Sequence, residues 1–151
     1  MAHIHELIDF TIGVYIVYKN KVLLIDHKAL KMWLPVGGHI ELDEDPDQAV
    51  IREAKEESGL DIEIIAEKGL IENKLTKALF RPEVVNIHPI TKTHRHIGLF
   101  YFARSKSSKV KLEDARNQIK WFSKSKLKEA KFNIPEDVIF YGTKAIEKIG
   151  W

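Results

Sequence analysis

The sequence contains no cysteine. Disulfide staples and thiolate metal sites are therefore excluded, which weakly favours a reducing compartment. No apolar run approaches the roughly 20 residues that a helix needs to span a bilayer. The opening residues MAHIHELIDF lack the cationic start and apolar core of a secretory signal, so a cytoplasmic location with no membrane partner is expected. Internal repeats, low-complexity tracts and Pro/Gly/Ser-rich linkers are also missing. Residues 1–151 are accordingly expected to form a single domain, long enough to bury a real core.

Charge is plentiful but uneven. The formal net charge is +2, yet 11 acidic residues between Glu41 and Glu67 are accompanied only by Arg52 and Lys55. That stretch sums to −9, and the rest of the chain must sum to +11. An acidic patch in a basic body suits a cation site beside an anion site, as a metal–phosphate substrate requires. The competing reading is a solvated acidic face with no ligand.

The β-branched and aromatic run from Phe10 to Tyr18, the turn residues Lys19-Asn20 and then VLLID predict a hairpin. Residues 61–65 and 69–73 predict a strand bent at Gly69. Val84 to Ile90 and Ile97 to Ala103 predict two more strands around a polar loop, and Trp121-Phe122 a short one. Two helices are marked by their ends. The first has Asp45 as N-cap, Pro46 at the first helical position, Gln48 completing a capping box and Gly59 as the stop. The second is expected to open at Asn133, with Pro135 and Glu136, and to place Val138, Ile139, Ala145, Ile146 and Ile149 at helical spacing. Strands and helices mix without strict alternation, so the expected class is α+β or α/β, a mixed sheet with helices on its faces.

The first helix poses a problem. At about 100° per residue, Glu53, Glu56 and Glu57 fall within an arc of roughly 100°, where like charges cost about 0.2–0.5 kcal/mol per pair. Val50, Ile51 and Ala54 occupy the adjacent arc and can pack on the sheet. A hard divalent cation would relieve the repulsion, because Mg²⁺ combines one or two carboxylates with waters and substrate phosphates. Arg52 lies beside the arc and Glu44 in the preceding loop, so a bidentate contact between them could fix the angle of the ligands. Gly37-Gly38 lets the backbone come close, and a free carbonyl there could be a further ligand.

Gly38, Glu44, Arg52-Glu53, Ala54, Glu56-Glu57, Gly59 and Leu60 reproduce the pattern G-x5-E-x7-R-E-U-x-E-E-x-G-U, with U an apolar residue. The chain thereby resembles the Nudix (MutT-type) hydrolase family. The resemblance implies an α/β/α sandwich with a mixed sheet, and Mg²⁺-dependent hydrolysis of a nucleoside diphosphate linked to another group, with Mn²⁺ as an alternative metal. Carried over by position, Glu53, Glu56 and Glu57 would be metal ligands with Gly37 and Gly38 nearby, and Arg52 and Glu44 would orient them. A small nucleotide is the implied partner, and a homodimer is compatible with it.

Substrate choice is less legible. Relatives acting on ADP-ribose often carry a proline about 15 residues beyond the box, and dinucleoside-polyphosphate enzymes a tyrosine. Leu75 and Thr76 stand there instead, which leaves nucleoside triphosphates, oxidised purines included, as the favoured class. Lys92, His94, Arg95 and His96 could receive phosphates, or the histidines could simply pair across a sheet. Trp33, Phe80 and Phe132 could stack a base or fill the core, and Trp121-Phe122 is read as structural. In some relatives a glutamate ahead of the Trp-Phe strand serves the site. Residues 117–120 hold no carboxylate, so Glu113 and Asp114 are the loop candidates and Glu53 the simpler general base. Two other readings stand beside hydrolysis of a small nucleotide. A catalytically inactive nucleotide sensor would be expected to lose box carboxylates, and an RNA 5′-end hydrolase lacks a basic run or stacking motif to support it.

Overall fold

The computed structural model describes residues 7–150. Its strands are β1 (Ile8–Tyr18), β2 (Lys21–His27), β3 (Met32–Leu34), β4 (Val36–His39), β5 (Ile62–Ile64), β6 (Val84–Pro89), β7 (Arg95–Ser105) and β8 (Gln118–Phe122). The helices are α1 (Pro46–Ser58), α2 (Lys124–Leu127) and α3 (Glu136–Ile149). Lys19 and Asn20 both adopt positive φ, 45° and 61°. This mirror-image turn matches the twist of the two strands it joins, and the expected β1–β2 hairpin forms.

The strands make one mixed sheet with the backbone order β3-β2-β1-β7-β5, to which β4, β6 and β8 add through β1, β7 and β2. The β1–β7 pair is parallel, in register from Ile8–Arg95 to Val17–Arg104. Parallel strands need cover on both faces, and the period-2 alternation of β1 supplies two apolar faces. Ile12, Val14 and Ile16 pack with Val36 against Ala49, Val50 and Ala54 of α1. Tyr15, Val17 and Phe102 turn the other way and meet Val138, Ala145 and Ile146 of α3. The result is the α/β/α sandwich expected from the sequence. No helix among the described residues is long and apolar enough to cross a membrane.

Helix α1 carries every predicted end signal. The Asp45 carboxylate accepts from the Gln48 N–H, the Gln48 side chain accepts from the Asp45 N–H, and Gly59 closes the helix at φ 75°. Other expectations are corrected. Residues 69–73 form no strand, and this stretch contributes only an isolated bridge, Lys68 to Phe80. Leu70 and Ile71 project into solvent, because β5 and β6 already take the positions along β7. Asn133 does not open α3. It ends a 3-10 turn at Ala130–Phe132 with φ 49°, a left-handed conformation that asparagine tolerates, and α3 begins after Pro135. β3 and β4 were not foreseen, since one is three residues long and the other contains two glycines, which strands disfavour. Trp33 and Phe132 belong to the core on the α3 face, where both pack edge-on against Phe122. Phe80 is half-buried against the α1 core, with its N–H donating to the Asp47 carboxylate.

Candidate active site

Strand β4 runs antiparallel to β1 and brings Gly37 and Gly38 under the start of the acidic arc. In the antiparallel ladder successive residues point their backbone groups to opposite sides. Ile40 N–H donates to the Phe10 carbonyl, 3.0 Å, so Gly38, paired with Ile12, also faces β1. Gly37 faces away, and its N–H donates to Glu57 Oε1 at 3.0 Å. Of the two carbonyls expected near the ligands, that of Gly37 therefore lines the open edge of β4, whereas that of Gly38 belongs to the ladder. The glycines are needed for different reasons. A Cβ on Gly38 would collide with the Glu53 carboxylate, its Cδ 2.6 Å away, whereas one on Gly37 would collide with the Ile12 carbonyl of the neighbouring strand.

Arg52 gathers the box. Its Nε donates to Glu44 Oε2 at 3.0 Å and its Nη2 to Glu44 Oε1 at 2.6 Å, a fork-on-fork contact from helix to loop. Nη1 donates to Glu53 Oε1 (2.9 Å) and Glu56 Oε2 (3.0 Å), and Nη2 to the His39 carbonyl (3.0 Å). Glu44 also accepts from the Glu41 N–H at 3.0 Å. The side chains of Glu44 and Glu53 are only 10% and 13% exposed, against 48% for Glu56. Three carboxylates thus radiate from one guanidinium, and Glu57 is held separately by the Gly37 N–H.

The electrostatics divide the carboxylates. The Arg52 hydrogen bond holds Glu44 below the usual carboxylate range. Burial raises Glu53 above it, and the favourable Arg52 contact offsets only part of that. Glu57 is pushed up to about 7, chiefly by burial, with the charges of Glu53 and Glu113 adding to the effect against the Gly37 hydrogen bond. A half-buried carboxylate so reluctant to ionise, beside two others, has the chemistry of a cation site. The oxygen donors present fit a hard divalent ion.

The loop before β8 is tied to the end of α1 by the Lys111 N–H, which donates to the Ser58 carbonyl at 2.8 Å. Glu113 lies close enough to raise both Glu53 and Glu57. Asp114 is instead taken by Arg116, 2.8 Å away, whose hydrogen bonds pull it down to about 2. Of the two loop candidates, Glu113 is the one within the field of the box.

The NUDIX domain family profile matches residues 9–141. A crystal structure of a NUDIX-family hydrolase from Clostridium perfringens is 36% identical, with a TM-score of 0.82 over 94% of this chain and 98% of that one. The chain belongs to the Nudix family of pyrophosphohydrolases. A MutT NUDIX hydrolase from Burkholderia pseudomallei shares the fold at 20% identity and TM-score 0.63, covering 96% of this chain and 100% of its own. A C. elegans Ap4A hydrolase in a binary complex does so at 18% and 0.59, covering 93% and 94%. No curated protein matches the chain. Nudix enzymes generally require a divalent metal and act on small nucleotides.

The second group of predicted residues is split by the Nudix sheet. Lys92 is exposed in the loop between β6 and β7, and Arg95, alternating with its neighbours, faces away from them. His94 and His96 turn together onto Asp9 of β1, and His39 of β4 reaches the same carboxylate. His88, paired with His96 across the β6–β7 ladder, completes the group. Asp9, His39 and His88 went unnoticed in the sequence. The usable signal was His-x-His, the period that puts both rings on one face of a strand.

Proposed function

We propose that this Nudix hydrolase cleaves a phosphoanhydride bond in a nucleoside diphosphate derivative with Mg²⁺, the favoured substrate being a nucleoside triphosphate that yields monophosphate and pyrophosphate. Oxidised purine triphosphates fall within that class. The observation that carries the reading is the convergence of Glu53, Glu56 and Glu57 around Arg52 and Gly37, with burial pushing Glu57 up to about 7.

Glu53, Glu56, Glu57 and the Gly37 carbonyl would hold the metal, and an all-oxygen set favours Mg²⁺ or Mn²⁺ over softer ions. Bound there, the metal would neutralise phosphate charge and lower the pKa of water. The chain's own residues do the rest. Glu53, fixed on a helix between Arg52 and Gly38, takes the proton of the attacking water as its oxygen adds to phosphorus and the bridging P–O bond breaks. Arg52 and Glu44 position it and do not touch the substrate. The complete box argues against a sensor without catalysis. No aromatic stacking motif in the sequence supports an RNA substrate.

A screen of nucleotides for phosphate and pyrophosphate release, with Mg²⁺ and with Glu56→Gln as control, tests the reading. Turnover of at least one nucleoside triphosphate, lost in the variant, supports it. Turnover that survives in Glu56→Gln refutes the assignment of the site.

A further inference from the structure

The histidine cluster lies on the sheet face opposite the carboxylate helix. In β1, Ile12 and Val14 face α1, so Asp9 and Thr11 face the other side, and their register partners His96 and His39 go with them. Three imidazole Nε2 atoms converge on one oxygen, Asp9 Oδ2: His94 at 2.9 Å, His39 at 3.4 Å and His96 at 3.9 Å. The rings stand nearly perpendicular, His39 to His96 at 83° and His94 to His96 at 86°, with centroids 4.9 and 5.2 Å apart. The ligand atoms of Asp9, His94 and His96 all lie within 4.8 Å of one another.

Hydrogen bonding alone accounts poorly for this arrangement. The His94 contact has hydrogen-bond length, whereas those of His39 and His96 are too long to satisfy either ring. In a tetrahedral site with metal–nitrogen bonds of about 2.0–2.1 Å, neighbouring ligand atoms are about 3.3 Å apart. The separations of His94 and His96 from Asp9, 2.9 and 3.9 Å, bracket that edge length. We propose that Asp9, His94 and His96 form a second cation site, flanked by His39 and selective for a borderline divalent transition metal, Zn²⁺ foremost.

Several features distinguish it from a phosphate subsite and from the Mg²⁺ box. A carboxylate at its centre repels anions. Its donors are mainly imidazole, which suits Zn²⁺, Co²⁺ or Ni²⁺ better than Mg²⁺. Its ligands stand on two paired strands, β1 and β7, and the hairpin end before β7, and the surroundings are held from outside. Arg52 fixes the His39 backbone, and the Thr91 hydroxyl accepts from the His94 N–H at 3.1 Å. Such supporting contacts preorganise a metal site.

The test is calorimetric titration with ZnCl2 in a His3→Ala, His5→Ala background, which removes the histidines near the start of the chain. Three proteins are compared: that background, the same with His94→Ala and His96→Ala, and the same with Glu56→Gln and Glu57→Gln. With MgCl2 in large excess throughout to occupy the carboxylate box, one tightly bound Zn²⁺ per chain is expected in the background and in the carboxylate variant, with affinity reduced roughly tenfold or more in the histidine variant. If the histidine variant fails to fold, as judged by circular dichroism, Asp9→Asn replaces it with the same expectation. X-ray absorption of the zinc complex should show a first shell dominated by imidazole. Zinc binding that follows the carboxylates instead, that ignores the histidines, or that is absent from the background protein overturns the proposal.

Discussion

Replacing Glu57 by glutamine removes a charge where ionisation is unfavourable, and metal-free Glu57→Gln should be the more stable protein at alkaline pH. The raised value of about 7 against an ordinary 4.5 corresponds to roughly 3.4 kcal/mol, at 1.36 kcal/mol per pH unit. Partial solvent contact reduces this to about 1.5–2 kcal/mol. The folded protein holds the proton more tightly than the unfolded chain. This stabilising contribution is therefore complete below about pH 4.5 and is lost as pH rises through 7. The substituted amide would keep an acceptor for the Gly37 N–H and carry no charge at any pH. Thermal unfolding in EDTA should show nearly equal midpoints at pH 5. At pH 8.5 the variant should lead by about 3–8 °C, using 2–4 °C per kcal/mol for a domain of this size. Added Mg²⁺ should raise the wild type and close the gap. Equal midpoints at both pH values, or a less stable variant at pH 8.5, would refute the reasoning.

The two glycines of β4 should separate activity from folding. Gly38→Ala displaces only the movable end of Glu53, so activity should fall about a hundredfold or more, ~2.7 kcal/mol, with the unfolding midpoint almost unchanged. Gly37→Ala meets backbone, and overpacking of about 1–3 kcal/mol should lower the midpoint measurably. Arg52→Lys keeps the charge but loses the fork that holds Glu44 and Glu53. Its kcat should drop with the ranking of substrates preserved, and wild-type behaviour would show the clamp to be dispensable. At saturating Mg²⁺ and substrate, Glu53→Gln should slow turnover severely, and Glu113→Gln with Asp114→Asn by less than about tenfold, ~1.4 kcal/mol. The reverse order would move the proton acceptor to the loop.

Helix α1 was readable because each of its end residues answers a local demand. Asp45 and Gln48 satisfy free N–H groups, Pro46 fits where no donor is needed, and Gly59 takes a left-handed turn. The Nudix box was readable for the same reason, being contiguous from the end of one strand through one loop and one helix. β4 was not, because Gly37 and Gly38 are dictated by contacts with Ile12 and Glu53, remote in the chain. Residues 69–73 looked like a strand from composition alone, yet strand formation needs a free neighbouring edge. Asn133 met a demand of the turn before it, not of the helix after it. The histidine cluster was half visible. His94 and His96 share a face by spacing, but Asp9 is 85 residues from His94, and only the parallel β1–β7 pairing brings them together.

The central claim is that the carboxylates around Arg52 hold a metal that drives pyrophosphohydrolysis. ³¹P NMR of the products from a nucleoside triphosphate at saturating Mg²⁺ addresses it most directly. Monophosphate and pyrophosphate in equal amounts, formed with Mg²⁺ and abolished by EDTA, are predicted. Diphosphate with orthophosphate, or unchanged turnover after the metal is removed, would contradict it.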